Sequence, residues 1–408
     1  MLKKIAYSIF LFLLLCAQSA FAASSVNQVE LTWMSIANWY IKIGDTKIMM
    51  DAYITRVPGP PFFYAPKSLP EDPYAFTTKS YGIDTASIKK VKDAVLGKGA
   101  LDYMMVGHSH FDHSWDAPMW SKLTGAKMIG GVSTCFQAEA QGVKTSQCQS
   151  VSGGEKIALN DSTDVYVVRF NHSGNNKNPI QHFARELYQP PTPDAKGQYR
   201  AGVGEDYPNG GGNRAYLFVV NTDKGKVSFF INSSASAYDL DKDIVVDGVN
   251  YGSPIEDLKI AMKAAGLDKV DVWIGAGGKP VAEIVVPVLH PKVYIPHHWD
   301  GLFNSFWKGI PYPYKDNDLA DYLKREAIEL IPQKQYFDSY SLTATGTHLT
   351  ANHSVKAKLG FHDEQKFSAT MLNSIKHMAS TSAGDDCGET VIRPSILSII
   401  LALNIFFK

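Results

Sequence analysis

The sequence predicts an α/β fold, and three observations support this class. Residues 28–52 alternate apolar and polar side chains around a hairpin turn at Gly44 and Asp45, which is typical of paired strands. Residues 101–106 form a short apolar run that ends at Gly107, as in a buried strand. Beyond that run, predicted strands and helices alternate as far as residue 170, the order expected when helices cover a sheet.

Composition places the chain among ordinary globular proteins. It has 408 residues, of which 45% are hydrophobic and 20% charged, and its formal net charge is zero. This is enough apolar material for one large core or two smaller ones. Because there is no basic excess to neutralise phosphates, the sequence indicates no nucleic-acid partner.

The two ends are predicted to lie outside the folded domain, which would occupy residues 23–379. Residues 1–22 combine two early lysines, an apolar core and a final Ala-Phe-Ala, the pattern of a signal peptide. We therefore expect an exported protein, in the periplasm, outside the cell or at the cell surface. Export would also allow a disulfide between Cys135 and Cys148, which are close in sequence.

Residues 380–408 form a polar spacer followed by a hydrophobic tail. Small residues, a spacer and an apolar end resemble a lipid-anchor attachment signal. The alternative is a short helix that docks on the fold or lies on a membrane, because the apolar run is too short to span one. The protein is thus predicted to associate with a membrane through this tail.

The richest segment for chemistry is the run His108-Ser109-His110-Phe111-Asp112-His113, directly after the predicted strand. Alternation allows His108 and His110 to point at one cation from a tight turn, while Asp112 and His113 face a second position. Imidazole and carboxylate are ligand types that zinc, iron and manganese accept. The alternative, a histidine-rich surface turn, does not account for this spacing.

The run resembles the His-x-His-x-Asp-His signature of the metallo-β-lactamase superfamily, and the variant is closer to its lactonase and phosphodiesterase branch. The resemblance covers most of residues 28–350 and implies a four-layer αββα sandwich with two mixed sheets. It also implies that His172 completes the first metal site and that His298 completes the second. Asp51 would then support the histidine turn from behind, and His297 would either do likewise or face substrate. The implied metal is zinc, one ion or two, with iron or manganese as alternatives.

One element departs from this family pattern. Two-metal members carry an aspartate that bridges the metals at a strand end, where this chain has Ser233 or possibly Asn232. Neither is a strong anionic bridge, so one metal, or two bridged only by hydroxide, are both open. Asp239 or Asp241 could substitute only if the following loop folds back.

The resemblance implies a metal-dependent hydrolase in which a metal-bound hydroxide attacks an ester-type bond, namely a lactone, acyl ester or phosphodiester. Asp112 would accept the water proton if the second site were empty. The alternative is a catalytically inactive member of the same fold that binds a metal or a ligand.

Aromatic loops suggest a partly apolar, small-molecule substrate, possibly lipid-like. Four rings follow the last ligand: Trp299, Phe303, Phe306 and Trp307. We predict that they bind substrate; the alternative is that they pack under the insertion at residues 57–82, which is rich in Pro and aromatic residues. A second insertion, residues 174–212, is predicted to be a loop over the site.

Overall fold

The computed structural model describes residues 26–57, 80–172, 186–200, 212–246 and 248–367. The predicted signal peptide (1–22), the tail (380–408) and most of both insertions (57–82 and 174–212) lie outside the described residues, so these assignments stay predictions. Within the described ranges, no helix is both long enough and apolar enough to cross a membrane.

The described strands are, in chain order, β1 (Val29–Ser35), β2 (Asn38–Ile43), β3 (Thr46–Met50), β4 (Ser80–Tyr81), β5 (Tyr103–Met105), β6 (Lys127–Gly130), β7 (Cys148–Ser150), β8 (Lys156–Asn160), β9 (Thr163–Phe170), β10 (Tyr199–Arg200), β11 (Asn213–Thr222), β12 (Gly225–Asn232), β13 (Val245–Val246), β14 (Val249–Asn250), β15 (Val272–Gly275), β16 (Val293–Pro296), β17 (Glu329–Leu330), β18 (Ser339–Thr343) and β19 (Gly346–Thr350). The described α-helices are α1 (Thr85–Leu96), α2 (Phe111–Ser114), α3 (Ala117–Thr124), α4 (Val132–Ala140), α5 (Pro254–Ala265), α6 (Gly278–Leu289), α7 (Asn317–Arg325) and α8 (His353–Leu359).

Two large sheets form the centre, and both are mixed. The first has the order β19-β18-β1-β2-β3-β5-β6-β7, antiparallel as far as β3 and parallel from β3 to β7. The second has the order β17-β16-β15-β12-β11-β9-β8, parallel as far as β12 and antiparallel beyond it. Connections between parallel neighbours need crossovers, and helices supply most of them.

The sheets face each other across a shared core, and helices cover their outer faces. Trp39 of β2 and Phe229 of β12 belong to the same buried cluster, whereas Phe230 belongs to a second cluster with α5, α6 and α7. Successive strand residues point to opposite faces, so β12 is buried on both sides. On the other side, α3 and α4 lie against the parallel strands of the first sheet. The predicted four-layer arrangement with two mixed sheets is confirmed.

Local sequence signals place several of these elements. The Asp84 carboxylate accepts a hydrogen bond from the Ser87 N–H at 3.0 Å, so helix α1 begins where its capping residue predicts. Cys135 in α4 and Cys148 in β7 form a disulfide with their Cα atoms 5.5 Å apart. This pairing is the one that the sequence allowed.

The described parts of the two insertions meet each other. Strand β4, from the first insertion, pairs antiparallel with β10, from the second, with Tyr81 opposite Tyr199. The second insertion was predicted to lack strands over most of its length, and β10 is a short exception. Because its partner β4 is remote in sequence, β10 cannot be predicted from the local pattern of apolar and polar residues.

Candidate metal centre

The six predicted ligands come from three strand ends and meet at one edge of the two sheets. The turn after β5 carries His108 and His110, and the short helix α2 carries Asp112 and His113. His172 follows β9 and His298 follows β16, both from the opposite sheet. The structure divides these residues into two groups of three.

The first triad consists of His108, His110 and His172. Its ligand atoms lie within 4.8 Å of one another, and the three ring-to-ring distances are 4.8, 4.7 and 4.5 Å. Both ring nitrogens of His108 and Nε2 of His110 are buried without a hydrogen-bond partner among the described residues. Buried polar atoms of this kind are costly unless something binds them, so this triad fits a metal ion.

Burial keeps the first triad neutral. It lowers the pKa of His108 well below its ordinary value, and the neighbouring His113 lowers it further. Burial and the neighbouring His172 do the same to the pKa of His110. Neutral imidazoles offer lone pairs to a cation, which is the form that zinc, iron and manganese bind.

The second triad consists of Asp112, His113 and His298. Oδ2 of Asp112 lies 3.1 Å from Nε2 of His113 and 2.9 Å from Nε2 of His298, and the two Nε2 atoms are 3.2 Å apart. The rings of His108 and His113 have centroids 3.9 Å apart, so the two triads lie side by side.

Charge distinguishes the second triad from the first. Burial alone would raise the pKa of Asp112, but His113 and His298 lower it well below its ordinary value. Burial alone would lower the pKa of His113, but Asp112 and Asp51 raise it to about 10. A cation at this triad would therefore take the place of the His113 proton.

Asp51, at the end of β3, holds His113 from behind. Its Oδ2 accepts hydrogen bonds from Nδ1 of His113 at 2.9 Å and from the Ser233 hydroxyl at 2.6 Å. Its Oδ1 accepts the Gly107 N–H at 2.7 Å. A carboxylate only accepts here, so Nδ1 keeps its proton, and Nε2 is the nitrogen that would bind a metal after losing its own proton. The structure thus gives Asp51 the contacts of the supporting role predicted for it.

Ser233 lies in the same supporting layer and is not part of either triad. Its hydroxyl donates to Asp51, and a Cβ on Gly107 would lie 2.1 Å from its Oγ. Glycine is therefore required immediately before the histidine turn. The contacts of Ser233 favour support of Asp51 over bridging between metals.

The other candidates for a bridge are engaged elsewhere. Oδ1 of Asn232 accepts the Trp273 indole N–H at 2.7 Å. Oδ1 of Asp239 accepts from Nδ2 of Asn171 at 2.6 Å, and Asp241 is exposed. The loop after β12 does not bring Asp241 into the centre.

Two facing mixed sheets thus carry both triads at the ends of their strands, with the ligands in the order His-x-His-x-Asp-His, His172, His298. This is the architecture and the ligand order that the resemblance to the metallo-β-lactamase superfamily implies.

Two curated relatives resemble part of the chain, and both are described as UPF0173 metal-dependent hydrolases. The protein from Pyrobaculum islandicum is 22% identical over 151 residues, which is 37% of this chain and 54% of the relative. The protein from Polynucleobacter asymbioticus is 30% identical over 115 residues, which is 28% of this chain and 31% of the relative. The chain thus spans about half of the first relative and about a third of the second.

The chain also has a weak similarity to solved structures. The metallo hydrolase Igni18 from Ignicoccus hospitalis is 12% identical, with a TM-score of 0.43, and the match covers 77% of this chain and 98% of Igni18. No family model matches the chain.

The contacts of His297 favour the supporting role among its two predicted roles over facing substrate, because the ring is buried and both of its nitrogens are hydrogen-bonded. Its Nδ1 accepts the Trp39 indole N–H at 3.0 Å, and its Nε2–H donates to the Asn232 carbonyl at 2.8 Å. Burial lowers its pKa to about 3, so the ring stays neutral. His297 joins the two sheets next to the ligand His298.

The contacts of Phe306 and Trp307 favour a packing role over the predicted substrate role, which stays a prediction for Trp307 because that ring is 38% exposed. Phe306 is only 2% exposed, and its ring stacks on Tyr336 with centroids 5.5 Å apart. Trp307 is directed to helix α1, where its indole N–H donates to the Ser87 hydroxyl at 3.1 Å.

Phe303 and Trp299 have different surroundings from those two rings. Phe303 stacks on Phe111, the residue between His110 and Asp112, with centroids 6.0 Å apart. Trp299 stacks on Trp33 at 5.5 Å, and its indole N–H donates to Gln333 at 3.1 Å. Phe303 therefore remains a candidate for substrate contact beside the metal ligands, whereas Trp299 is engaged by the fold.

Two buried aspartates near the centre were missed by the sequence analysis. Oδ2 of Asp116 accepts the backbone N–H groups of Ile54 and Thr55, each at 2.7 Å. Asp300 follows His298 by two residues and is fully buried. Aspartate is normally a surface residue, and neither position belongs to a recognisable motif, so no sequence signal marks them.

Proposed function

We propose that the chain is a metal-dependent hydrolase that cleaves ester-type bonds. The observation that carries this proposal is the presence of two complete three-ligand groups side by side at one edge of the fold. A purely structural metal site usually closes with four protein ligands, whereas three leave a position for water or substrate. The description of both curated relatives as metal-dependent hydrolases supports the same reading.

The donor sets fit zinc, with iron or manganese as alternatives. His108, His110 and His172 would hold one ion, and Asp112, His113 and His298 would hold a second. An ion bound there supplies Lewis acidity and brings the pKa of a water molecule toward neutrality. Because Ser233 donates its hydroxyl to Asp51, that strand end adds no negative charge between the ions.

The protein groups themselves divide the remaining work. Asp51 holds the proton on Nδ1 of His113 and thereby orients the ring. Asp112 contacts both His113 and His298 through one oxygen, so it acts first as a ligand. With a single metal in the first triad, Asp112 would be the acidic side chain placed to accept the proton of an attacking water.

The substrate is proposed to be a small molecule with an apolar portion, possibly lipid-like. The stacked rings of Phe303 and Phe111 lie next to the histidine turn, with Tyr53 against Phe111 at 5.7 Å. Phe303 is the part-exposed ring of this group, and an acyl chain or ring could bury apolar surface against it. Lactones, acyl esters and phosphodiesters all combine such a group with an electrophilic centre.

Export is proposed on the signal-peptide pattern, and the disulfide between Cys135 and Cys148 supports it, because disulfides persist mainly in oxidising compartments. Membrane association is proposed on the hydrophobic pattern of residues 380–408.

A catalytically inactive, metal-binding or ligand-binding member of the fold is the second candidate. The replacement of the bridging carboxylate by Ser233 favours it, because fewer charges would hold a second metal.

The deciding experiment combines metal analysis with substrate profiling. Purified protein is assayed for bound metal and tested on chromogenic carboxylic esters, lactones and phosphodiesters before chelation, after chelation and after zinc is restored. We expect turnover of at least one class, lost on chelation and regained with zinc. His110→Ala should abolish it, whereas His348→Ala, at an exposed residue of β19, should not.

Two results would contradict the proposal. Full activity of His110→Ala at limiting zinc would remove the first triad from the mechanism. Metal-loaded protein without turnover of any of the three classes would favour the inactive alternative.

A further inference from the structure

We propose that Asp300 is a positioning residue for His298 and that the second metal depends on it. This inference rests on the proposed function, because it concerns one of the two metal triads. The Asp300 carboxylate accepts hydrogen bonds from the Ile36 N–H and the Tyr336 hydroxyl, and we infer that it acts through the backbone around His298.

The starting observation is an unusual backbone at two touching residues. His298 has φ +64° and Ile36 has φ +46°, both in the left-handed region that side chains with a Cβ rarely adopt. For a β-branched residue such as Ile36 this conformation is especially unfavourable. Such conformations persist only where surrounding contacts hold them.

Asp300 supplies those contacts through a short chain of hydrogen bonds. The His298 N–H donates to the Ile36 carbonyl at 3.0 Å, and the Ile36 N–H donates to Oδ1 of Asp300 at 2.9 Å. Two hydrogen bonds thus link His298 to Ile36 and Ile36 to Asp300. The chain from Asp300 back to His298 closes the loop. His298 cannot change its backbone conformation without breaking this loop.

The second carboxylate oxygen is held as well. Oδ2 of Asp300 accepts the Tyr336 hydroxyl at 2.7 Å, and both residues are fully buried. The Ile36 carbonyl also accepts the Trp33 indole N–H at 2.8 Å. A buried carboxylate with both oxygens engaged is itself rigid, so it can define the direction of the turn that it contacts.

The network joins the two sheets at the metal edge. Ile36 lies in the turn between β1 and β2 of the first sheet, whereas His298 and Asp300 follow β16 of the second. The other two ligands of the second triad, Asp112 and His113, come from the first sheet. His298 therefore reaches its partners across the sandwich, and Asp300 fixes the sheets together where it does so.

The test separates this role from a general contribution to stability. Zinc is titrated into metal-free wild type, Asp300→Ala and Asp300→Asn, with binding followed by calorimetry and the bound metal counted after dialysis. Asparagine can accept the Ile36 N–H through its oxygen and donate to Tyr336 through its nitrogen, so it should keep the geometry.

We expect wild type and Asp300→Asn to bind two zinc ions with affinities that differ by no more than a few-fold. Asp300→Ala should keep one tight zinc and lose affinity for the other by at least about tenfold, as supporting residues of metal sites typically do. His298→Ala gives the reference value for a lost second site. Tyr336→Phe removes one hydrogen-bond partner of Asp300 and keeps the buried ring, so it should lower the affinity for the second zinc to a smaller extent. This variant serves as the test if Asp300→Ala does not fold.

Asp271→Ala is the matched control. Oδ2 of Asp271 also accepts a backbone N–H, that of Ser228 at 2.8 Å, but at the start of β15 and so at the opposite edge of the same sheet. It should lower the melting temperature and leave both zinc affinities unchanged.

Two zinc ions at wild-type affinity in Asp300→Ala, or the same selective loss in Asp271→Ala, would overturn the inference while leaving the proposed function intact. If wild type binds no more zinc than His298→Ala, the second triad itself fails, and the two-metal form of the proposed function fails with it.

Discussion

The contacts of Asp51 allow a quantitative test of the second triad through the substitution Asp51→Asn. Asparagine has nearly the same shape and tolerates the left-handed backbone of this residue, where φ is +58°. The change therefore alters hydrogen-bond chemistry with little effect on the backbone. Its amide nitrogen donates where the carboxylate oxygen accepted.

The consequence falls on the His113 tautomer. In the wild type, Nδ1 of His113 donates to Oδ2 of Asp51 at 2.9 Å, so Nε2 is the nitrogen that exchanges its proton for a metal. An amide N–H in that place favours an unprotonated Nδ1, so the proton moves to Nε2, the atom that faces Asp112 and His298. To bind a metal through Nε2, His113 must then move its proton back to Nδ1. There the N–H would face the amide N–H of the substituted side chain, and two donors would oppose each other.

We expect zinc affinity at the second triad to fall about 10- to 100-fold, which corresponds to about 1.4–2.8 kcal/mol. The first triad should keep its zinc. Competition with a chromophoric chelator measures both affinities, and nitrogen chemical shifts of the histidine rings report the tautomer of His113.

Ser233→Ala is the appropriate comparison, since it removes one hydrogen bond to Asp51 and leaves the acceptor for His113 in place. It should cost about 1 kcal/mol of unfolding free energy and change zinc affinity only slightly. Unchanged zinc binding in Asp51→Asn, or an equal loss in Ser233→Ala, would show that Asp51 does not set the tautomer.

Further expectations concern the aromatic segment, the disulfide and pH. Phe306→Ala should lower the free energy of unfolding by about 3–5 kcal/mol and affect all substrates alike. Phe303→Ala should instead raise KM more for long acyl substrates than for short ones. A chain-length series and denaturation curves test both variants, and a chain-length effect in Phe306→Ala but not in Phe303→Ala would contradict these expectations. Replacing both Cys135 and Cys148 by serine should cost about 3 kcal/mol by chemical denaturation, and no change in the midpoint would contradict this. Because the pKa of His113 is raised to about 10, metal uptake should release a proton, and zinc affinity should rise by about tenfold per pH unit as pH increases toward that value. Calorimetry in buffers of different ionisation enthalpy would show no released proton if this is incorrect.

Features that depend on neighbouring residues were predictable from the sequence. The meander β1 to β3 and the hairpin β11 to β12 follow from alternation and turn residues, and α1 begins at the cap that Asp84 supplies. The histidine turn was predictable for the same reason, since four of its six residues are ligand types at a spacing that one turn can direct at a metal. His172 and His298 required the family resemblance as well, because each is a single histidine at a strand end.

The tertiary structure decided what depends on residues far apart in the chain. Phe306 and Phe303 are close in sequence and similar in chemistry, yet one lies in the core and the other against Phe111. The sequence could not separate them because burial depends on where the chain turns after His298. That turn is held by Ile36 and Asp300, whose contact spans 264 residues. Alternation and spacing describe one strand or one turn at a time, whereas the direction of a side chain toward a shared centre is set by packing between sheets.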